Sequence, residues 1–236
     1  SGLYQTPNAA DGLYLSPNGN DVKTSSVLSL NTTNKSLEVH QPFVDGVIDS
    51  ILDYTGTITD IDFGYENGVL FFYTCSDATS INLKKFNISG VISNIHISSP
   101  FRTRALKKEL NGNRLWVADA TVPYIYEVNL NNSTFPTVFG FLLDIDTTAL
   151  AHDAVGNFLY AVGQDRSFLP IIRSSVYKVD LNNFGLTTKI FTVDGLYNSI
   201  ECIDSVPDIV PGSVQPNSGR IVIGGNRAVP FGTGPD

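Results

Sequence analysis

Along this chain a segment recurs in which a Gly or Asn turn leads into an apolar strand, a polar loop and a second strand ending in Asn. The clearest copies are NGNRLWVADATVPYIYEVNLNNST (111–134) and VGNFLYAVGQDRSFLPIIRSSVYKVDLNNFG (155–185). Looser copies are ENGVLFFYTCSDATSINLKKFNISG (66–90) and ADGLYLSPNGNDVKTSSVLSLNTTN (10–34), and a further turn opens SGRIVIGGN (218–226). The opening turns, near residues 12, 67, 112, 156 and 219, are spaced by about 55, 45, 44 and 63 residues. That spacing is in the range of a four-stranded propeller blade. The repeat speaks to architecture and hardly at all to chemistry.

The expected fold is all-β: one β-propeller domain over 1–236, with about five four-stranded blade-like repeats at roughly 1–55, 56–101, 102–146, 147–196 and 197–236. Innermost strands are expected at GLYQTP, TITDIDFG, RALKKEL, TALAHDAV and SIECIDSV, and second strands at GLYLS, GVLFFYTC, RLWVAD, FLYAVG and RIVIGG. Third strands are expected at VLSLN, SINLKKF, YIYEVNL and SVYKVDL, and outermost strands at SLEVHQPF, ISNIHIS, TVFGFLL and TKIFTVD. Alternation of side chains along such strands makes Phe71, Trp116 and Tyr160 members of an inter-blade core. Helical periodicity is nearly absent; Val44, Val47, Ile48 and Leu52 in FVDGVIDSILDY (43–54) are spaced for a single helical turn between two blades. The last blade is incomplete, because RIVIGG is followed only by NRAVPFGTGPD, too rich in Gly and Pro for two more strands. Either the chain is an excerpt of a longer protein, or the open edge is paired from elsewhere.

Of the 236 residues, 42% are hydrophobic and only 16% charged, with Asn, Ser, Thr and Asp supplying the polarity. The net charge of −8 disfavours nucleic acid and anionic membrane surfaces. The basic cluster RTRALKK (102–108) reads as a solvated strand or loop. No apolar run approaches the length of a membrane-spanning helix. The chain begins at Ser1 and contains no Met, so a processed or excerpted product is expected.

Four N-glycosylation sequons occur, at Asn31, Asn87, Asn131 and Asn132. Asn31, Asn87 and the 131/132 pair each follow an IYEVNL-type strand, where an exposed turn is expected and glycosylation needs exposure. At least one should be modified, and crowding should allow only one of the adjacent pair. Sequons and sparse charge together point to secretion. Cys75 and Cys202 show no zinc spacing; outside the cell they would form a disulfide, and otherwise they are two buried thiols acting as small hydrophobes.

The phrases GNRLWVAD, GNFLYAVG, IYEVNLNN and VYKVDLNN resemble the blade signature of the NHL, YncE-like and senescence-marker/gluconolactonase-like propellers. In those families an Asp-x-x-Gly-Asn-x-Leu-Tyr-Val turn joins a blade's first two strands. DAVGNFLYA (Asp153 to Ala161) fits it, and Leu110 to Ala118 fits except that Leu110 replaces the Asp. The resemblance implies a divalent metal, Ca²⁺ or Mg²⁺, held by Glu, Asn and Asp of innermost strands. The analogous residues here are Asp60, Asp62, Glu109, Asp153, Glu201 and Asp204. The families' N-terminal Glu ligand has no counterpart in GLYQTP, so the set is incomplete and no cofactor is expected; such carboxylates otherwise cap turns or bond across blades. His152 beside Asp153 is the candidate general base, while His40 and His96 lie on outer strands. No nucleophile elbow, phosphate loop or dinucleotide fingerprint appears.

The expectation is an extracellular propeller that works as a binding or structural module with a protein or glycan partner. A homopolymer through the open sheet edge would make it a subunit of a surface assembly or filament. The alternative is a secreted lactonase or strictosidine-synthase-like hydrolase using channel carboxylates and a divalent metal.

Overall fold

The computed structural model describes residues 12–14, 26–31, 36–40, 49–52, 58–76, 83–87, 92–95, 102–131, 137–168, 173–183, 186–193, 197–208 and 217–227. They form four four-stranded antiparallel sheets and one two-stranded sheet. The first contains β1 (Gly12–Tyr14), β2 (Ser26–Asn31), β3 (Ser36–His40) and β4 (Asp49–Leu52). The second contains β5 (Ile58–Glu66), β6 (Val69–Ser76), β7 (Leu83–Asn87) and β8 (Ile92–Asn94). The third is β9 (Thr103–Lys108), β10 (Arg114–Asp119), β11 (Tyr124–Asn129) and β12 (Thr137–Leu142). The fourth is β13 (Ile145–Asp153), β14 (Phe158–Asp165), β15 (Ser174–Asp180) and β16 (Leu186–Val193). The last pairs β17 (Tyr197–Asp208) with β18 (Asn217–Arg227). Each sheet is a meander, and the leading strands β5, β9, β13 and β17 touch in that order. The one helical element among the described residues is a 3₁₀ turn at Arg166–Phe168.

Three of the expected sheets match strand for strand, and the fifth has the expected two strands. The first sheet is displaced by one strand. GLYLS supplies its leading strand β1, so VLSLN is second and SLEVH third. The fourth is DSIL, paired as Ser36↔Leu52 and Val39↔Asp49. Of the 43–54 segment expected to make a helical turn, 49–52 are extended, with β-branched Ile51 paired to Leu37, while Val44, Val47 and Ile48 lie outside the described residues. The displacement has a plain cause. GLYQTPN (2–8) and GLYLSPN (12–18) are near copies, and local pattern cannot say which one leads the sheet. The first copy lies outside the described residues.

Period-two alternation divides each central strand between two cores. On β10, Leu115 and Val117 face the second sheet, in a cluster with Tyr73, Cys75, Leu83 and Leu106. Trp116 and Ala118 point the other way, toward Leu150, Leu159 and Tyr177 of the fourth sheet. On β14, Leu159 and Ala161 join that cluster, whereas Tyr160 and Val162 pack with Ile203, Ile221 and Ile223 of the last sheet. Phe71, Trp116 and Tyr160 thus all stand between sheets as expected, Phe71 less completely buried than the other two. At the β5–β6 hairpin, Asn67 (φ 51°) and Gly68 (φ 78°) take the left-handed conformation of a two-residue turn that matches strand twist.

Leu159→Ala would open a cavity between two sheets and should cost about 2–5 kcal/mol in urea unfolding. Val222→Ser on exposed β18 should stay within about 0.5 kcal/mol. Equal losses at the two positions would refute the inter-sheet core.

Candidate functional site

Among the described residues, the acidic residues singled out on the leading strands do not gather into a metal set. Asp60 and Asp62 lie two apart on β5, so their side chains leave the same face. Both reach the backbone of β9: Asp60 Oδ2 accepts the Leu106 N–H at 2.8 Å, and Asp62 Oδ2 accepts the Lys108 N–H at 2.7 Å. Asp62 Oδ1 also receives Lys107 Nζ at 3.4 Å. Burial pushes the Asp60 carboxyl up to about 7; the Leu106 N–H opposes this and Asp62 adds to it. For Lys107, burial works to lower the pKa, but Asp62, with Asp204 and Asp60, holds it above the ordinary lysine range. Asp204 itself is exposed and accepts the Ser205 N–H at 2.8 Å.

Glu109 is taken up by the turn that follows β9. Its Oε1 receives Arg114 Nη2 at 2.6 Å and its Oε2 receives the Arg114 N–H at 3.3 Å. Burial alone would raise its pKa, and the Arg114 guanidinium brings it below the usual carboxylate value. The same Arg114 Nη2 reaches Asn157 Oδ1 of the next sheet at 2.9 Å and lies over the Trp116 ring.

His152 and Asp153 are neighbours in sequence but, on a strand, neighbours face opposite ways. The His152 ring lies against Trp116, centroids 4.7 Å apart, and its buried Nε2 has no hydrogen-bond partner among the described residues. Burial lowers its pKa to about 4. Asp153 is buried and caps its turn, Oδ1 accepting the N–H groups of Val155 (3.0 Å) and Gly156 (3.1 Å). Three of the six expected carboxylates therefore bond across blades or cap turns, and Glu109 braces a turn. Among the described residues, no three His, Cys, Asp or Glu groups stand together as a metal set. The side chains of Glu201 and Cys202 on β17 lie outside the described residues, as do those of His40 and His96.

Cys75 carries a free, buried thiol, the small-hydrophobe alternative for this residue. Its sulfur lies 3.2 Å from Thr59 Oγ1, and burial raises its pKa. Asn131 is exposed just after β11, and its Oδ1 accepts Asn113 Nδ2 at 2.6 Å. Asn87 likewise ends a third strand, but Asn31 ends a second strand. Successive strands are antiparallel, so Asn31 lies at the other end of its sheet, which corrects the expectation of one common turn type. Their side chains, and all of Asn132, lie outside the described residues.

Sequence reasoning missed two features. Asp119 and Asp165 end the second strands of adjacent sheets in the same way, as Asp-x-Thr and Asp-x-Ser. Asp119 Oδ1 accepts from the Thr121 N–H and Oγ1, and Asp165 Oδ1 from the Ser167 N–H and Oγ. Burial opposes ionisation of Asp165, but Lys189, Ser167 and Ser175 bring its pKa down to about 2. The repeated Asp-x-[Ser/Thr] was the available signal. The second feature is a cleft of about 380 Å³ between the second and third sheets, lined by Tyr65, Asn67, Gly68, Asn111 and Asn113. The Asn-Gly turn at 67–68 and the Asn-Gly-Asn turn at 111–113 mark it in sequence.

No protein-family model matches the chain, and no curated protein is similar in sequence. Solved β-propellers are similar in fold. BBS1N, in its complex with ARL6DN, superposes with a TM-score of 0.56 at 12% identity over 92% of this chain. The dihydro-heme d1 dehydrogenase NirN superposes with a TM-score of 0.50 at 10% identity over 77%. The chain spans 60% of the first protein and 36% of the second. These likenesses support the propeller-type fold alone.

His152 and Asp60 predict opposite pH dependences. A histidine held near 4 contributes stability that is full above its ordinary 6.5 and lost as pH falls from there toward 4. His152→Phe keeps the ring on Trp116, so it should lose less stability than wild type between those values. A carboxyl held near 7 contributes stability that is full below its ordinary 3.8 and lost as pH rises through 7. Asp60→Asn should therefore gain on wild type as pH rises through that range. Urea unfolding across the range checks both, and parallel pH profiles for variants and wild type would refute them.

Proposed function

We propose that this chain is an extracellular, N-glycosylated β-propeller of about five blades, of the NHL/YncE-like/gluconolactonase-like superfamily, acting as a binding or structural module in a surface assembly or filament. The reading rests chiefly on one observation. β18 is an eleven-residue strand with β17 on one side and, among the described residues, no strand on the other. Such an edge offers a row of N–H and C=O groups for strand addition. Its side chains suit the role: Ile221 and Ile223 turn inward to Tyr160 and Ile203, and Val222 stands exposed. The only charges on β18 are Arg220 and Arg227, which leave the stretch between them without the interior Lys that commonly blunts an edge. The leading-strand carboxylates engaged with backbone N–H groups support a module over a hydrolase.

The donor of the missing strand is a second copy, the N-terminal SGLYQTP segment or further parent chain. A second copy gives a head-to-tail contact, which propagates unless its rotation closes a ring. Light scattering across a concentration series should show mass rising for wild type and staying monomeric for Val222→Lys, since an edge lysine opposes strand addition. Monodisperse wild-type monomer would remove the polymer. Peptide mass mapping of native-source protein should find glycan on at least one of Asn31, Asn87, Asn131 and Asn132; all four bare would overturn the glycosylated reading.

A further inference from the structure

The cleft between the second and third sheets is lined by three asparagines, a glycine and a tyrosine. Asn67 and Asn111 are exposed, and their amides have no hydrogen-bond partner among the described residues. Asn113 spends one side-chain donor on Asn131 Oδ1, which leaves Asn113 Oδ1 and Asn131 Nδ2 open among the described residues. Tyr65 is half-buried and lines the cleft, and its N–H is bonded to Leu110 O at 2.6 Å, which joins the two sheets at this point.

The walls are held before any ligand arrives. Lys108 is buried beneath the 109–113 turn and donates from Nζ to Glu109 O and Gly112 O, both at 2.6 Å. Gly64 lets the Lys108 side chain pass, since a Cβ there would meet Lys108 Cγ at 2.5 Å. Glu109 and Arg114 clamp the same turn. A turn fixed in this way presents Asn111 and Asn113 without an ordering cost on binding.

Among the described residues no charged side chain lines the cleft, which favours a neutral ligand. Open amide donors and acceptors beside a phenol ring suit a molecule with many hydroxyl or acetamido groups and an apolar ring face. A volume of about 380 Å³ lies at the low end of ligand sites, roughly 300–1,000 Å³, and fits a short saccharide. We propose that this cleft is a saccharide subsite for N-acetylglucosamine units, recognised by Asn67, Asn111, Asn113 and the Tyr65 ring. Two sources carry that chemistry. One is a glycan on the chain's own Asn131, which is hydrogen-bonded to the cleft residue Asn113. The other is a glycan on a partner. The inference deepens the binding-module reading by naming a ligand class.

The probe is N,N′-diacetylchitobiose, titrated by saturation-transfer NMR into the full chain made in a host without N-glycosylation. Saturable, low-affinity binding is expected, with signal on the acetamido methyls. Asn111→Ala removes an exposed amide that bonds nothing else described, so folding should be kept while binding weakens about fivefold to tenfold. Tyr65→Phe keeps the ring and tests the hydroxyl in the same way. No saturation up to roughly 10 mM chitobiose, or equal binding by wild type and Asn111→Ala, would overturn the proposal. A glycosylated preparation separates the sources. If it binds chitobiose only after Ser133→Ala removes the Asn131 sequon, the chain's own glycan is the occupant; if it binds with that sequon intact, the occupant comes from a partner. A chain that proves bare at all four sequons yet binds chitobiose would lose the glycosylated reading and keep the cleft.

Discussion

The inner edge of β9 is where this fold meets its hardest requirement. A leading strand has a partner on one side only, and the groups on its other side face the next sheet with nothing to pair them. β5 supplies the partners from its side chains and backbone. Thr59 Oγ1 donates to Thr103 O, Asp60 and Asp62 accept the N–H groups of Leu106 and Lys108, and the Tyr65 N–H donates to Leu110 O. The match works because two period-two patterns mesh. Residues 106 and 108 aim their N–H groups out of the same edge, and residues 60 and 62 aim their carboxylates out of the same face. Each such group left unpaired in a buried place would cost about 1–3 kcal/mol. The Asp-Ile-Asp of this strand is thereby explained as joinery, with no ligand required.

That joinery carries its own penalty. The carboxyl of Asp60 is pushed up to about 7 by burial even with a backbone N–H on Oδ2, so at neutral pH the group is only partly ionised and its grip on Leu106 varies with pH. Asp165 has no exposed surface and yet is held near 2, because it gathers Lys189 of β16 together with two hydroxyls and an N–H. Burial alone does not decide the charge state of a propeller carboxylate; the number of donors it collects does.

Sheets two to five were legible because their strands carry an apolar alternation bounded by Asn or Gly, as in RLWVAD and FLYAVG. The first sheet was not, because GLYQTPN and GLYLSPN present the same local signal twice and only pairing distinguishes them. Of the candidate site, the side-chain types were legible and their partners were not. Asp153 next to His152 suggested a pair, but strand geometry sends one to a turn and the other to Trp116. Nothing in the sequence says that Lys108 would be buried, since its place depends on Gly64, 44 residues earlier and on another sheet.

Two edges of this chain thus meet one problem in different ways. On β9 the unpaired backbone is covered by the preceding sheet, and the Tyr65 N–H of that sheet also bonds Leu110 O in the turn that walls the amide cleft. On β18 no equivalent cover exists among the described residues, although the strand is longer and its centre uncharged. A side-chain ladder needs short polar residues two apart on a neighbouring strand, as Asp60 and Asp62 are. A partner strand needs only an open edge: Ile221 and Ile223 stay turned to Tyr160 through the pairing of β18 with β17, whereas a slip of one residue by an added strand would turn that strand's own side chains to the opposite face. The register of a strand added at β18 is therefore set by its own apolar alternation, which must match the face that Ile221 and Ile223 turn to Tyr160.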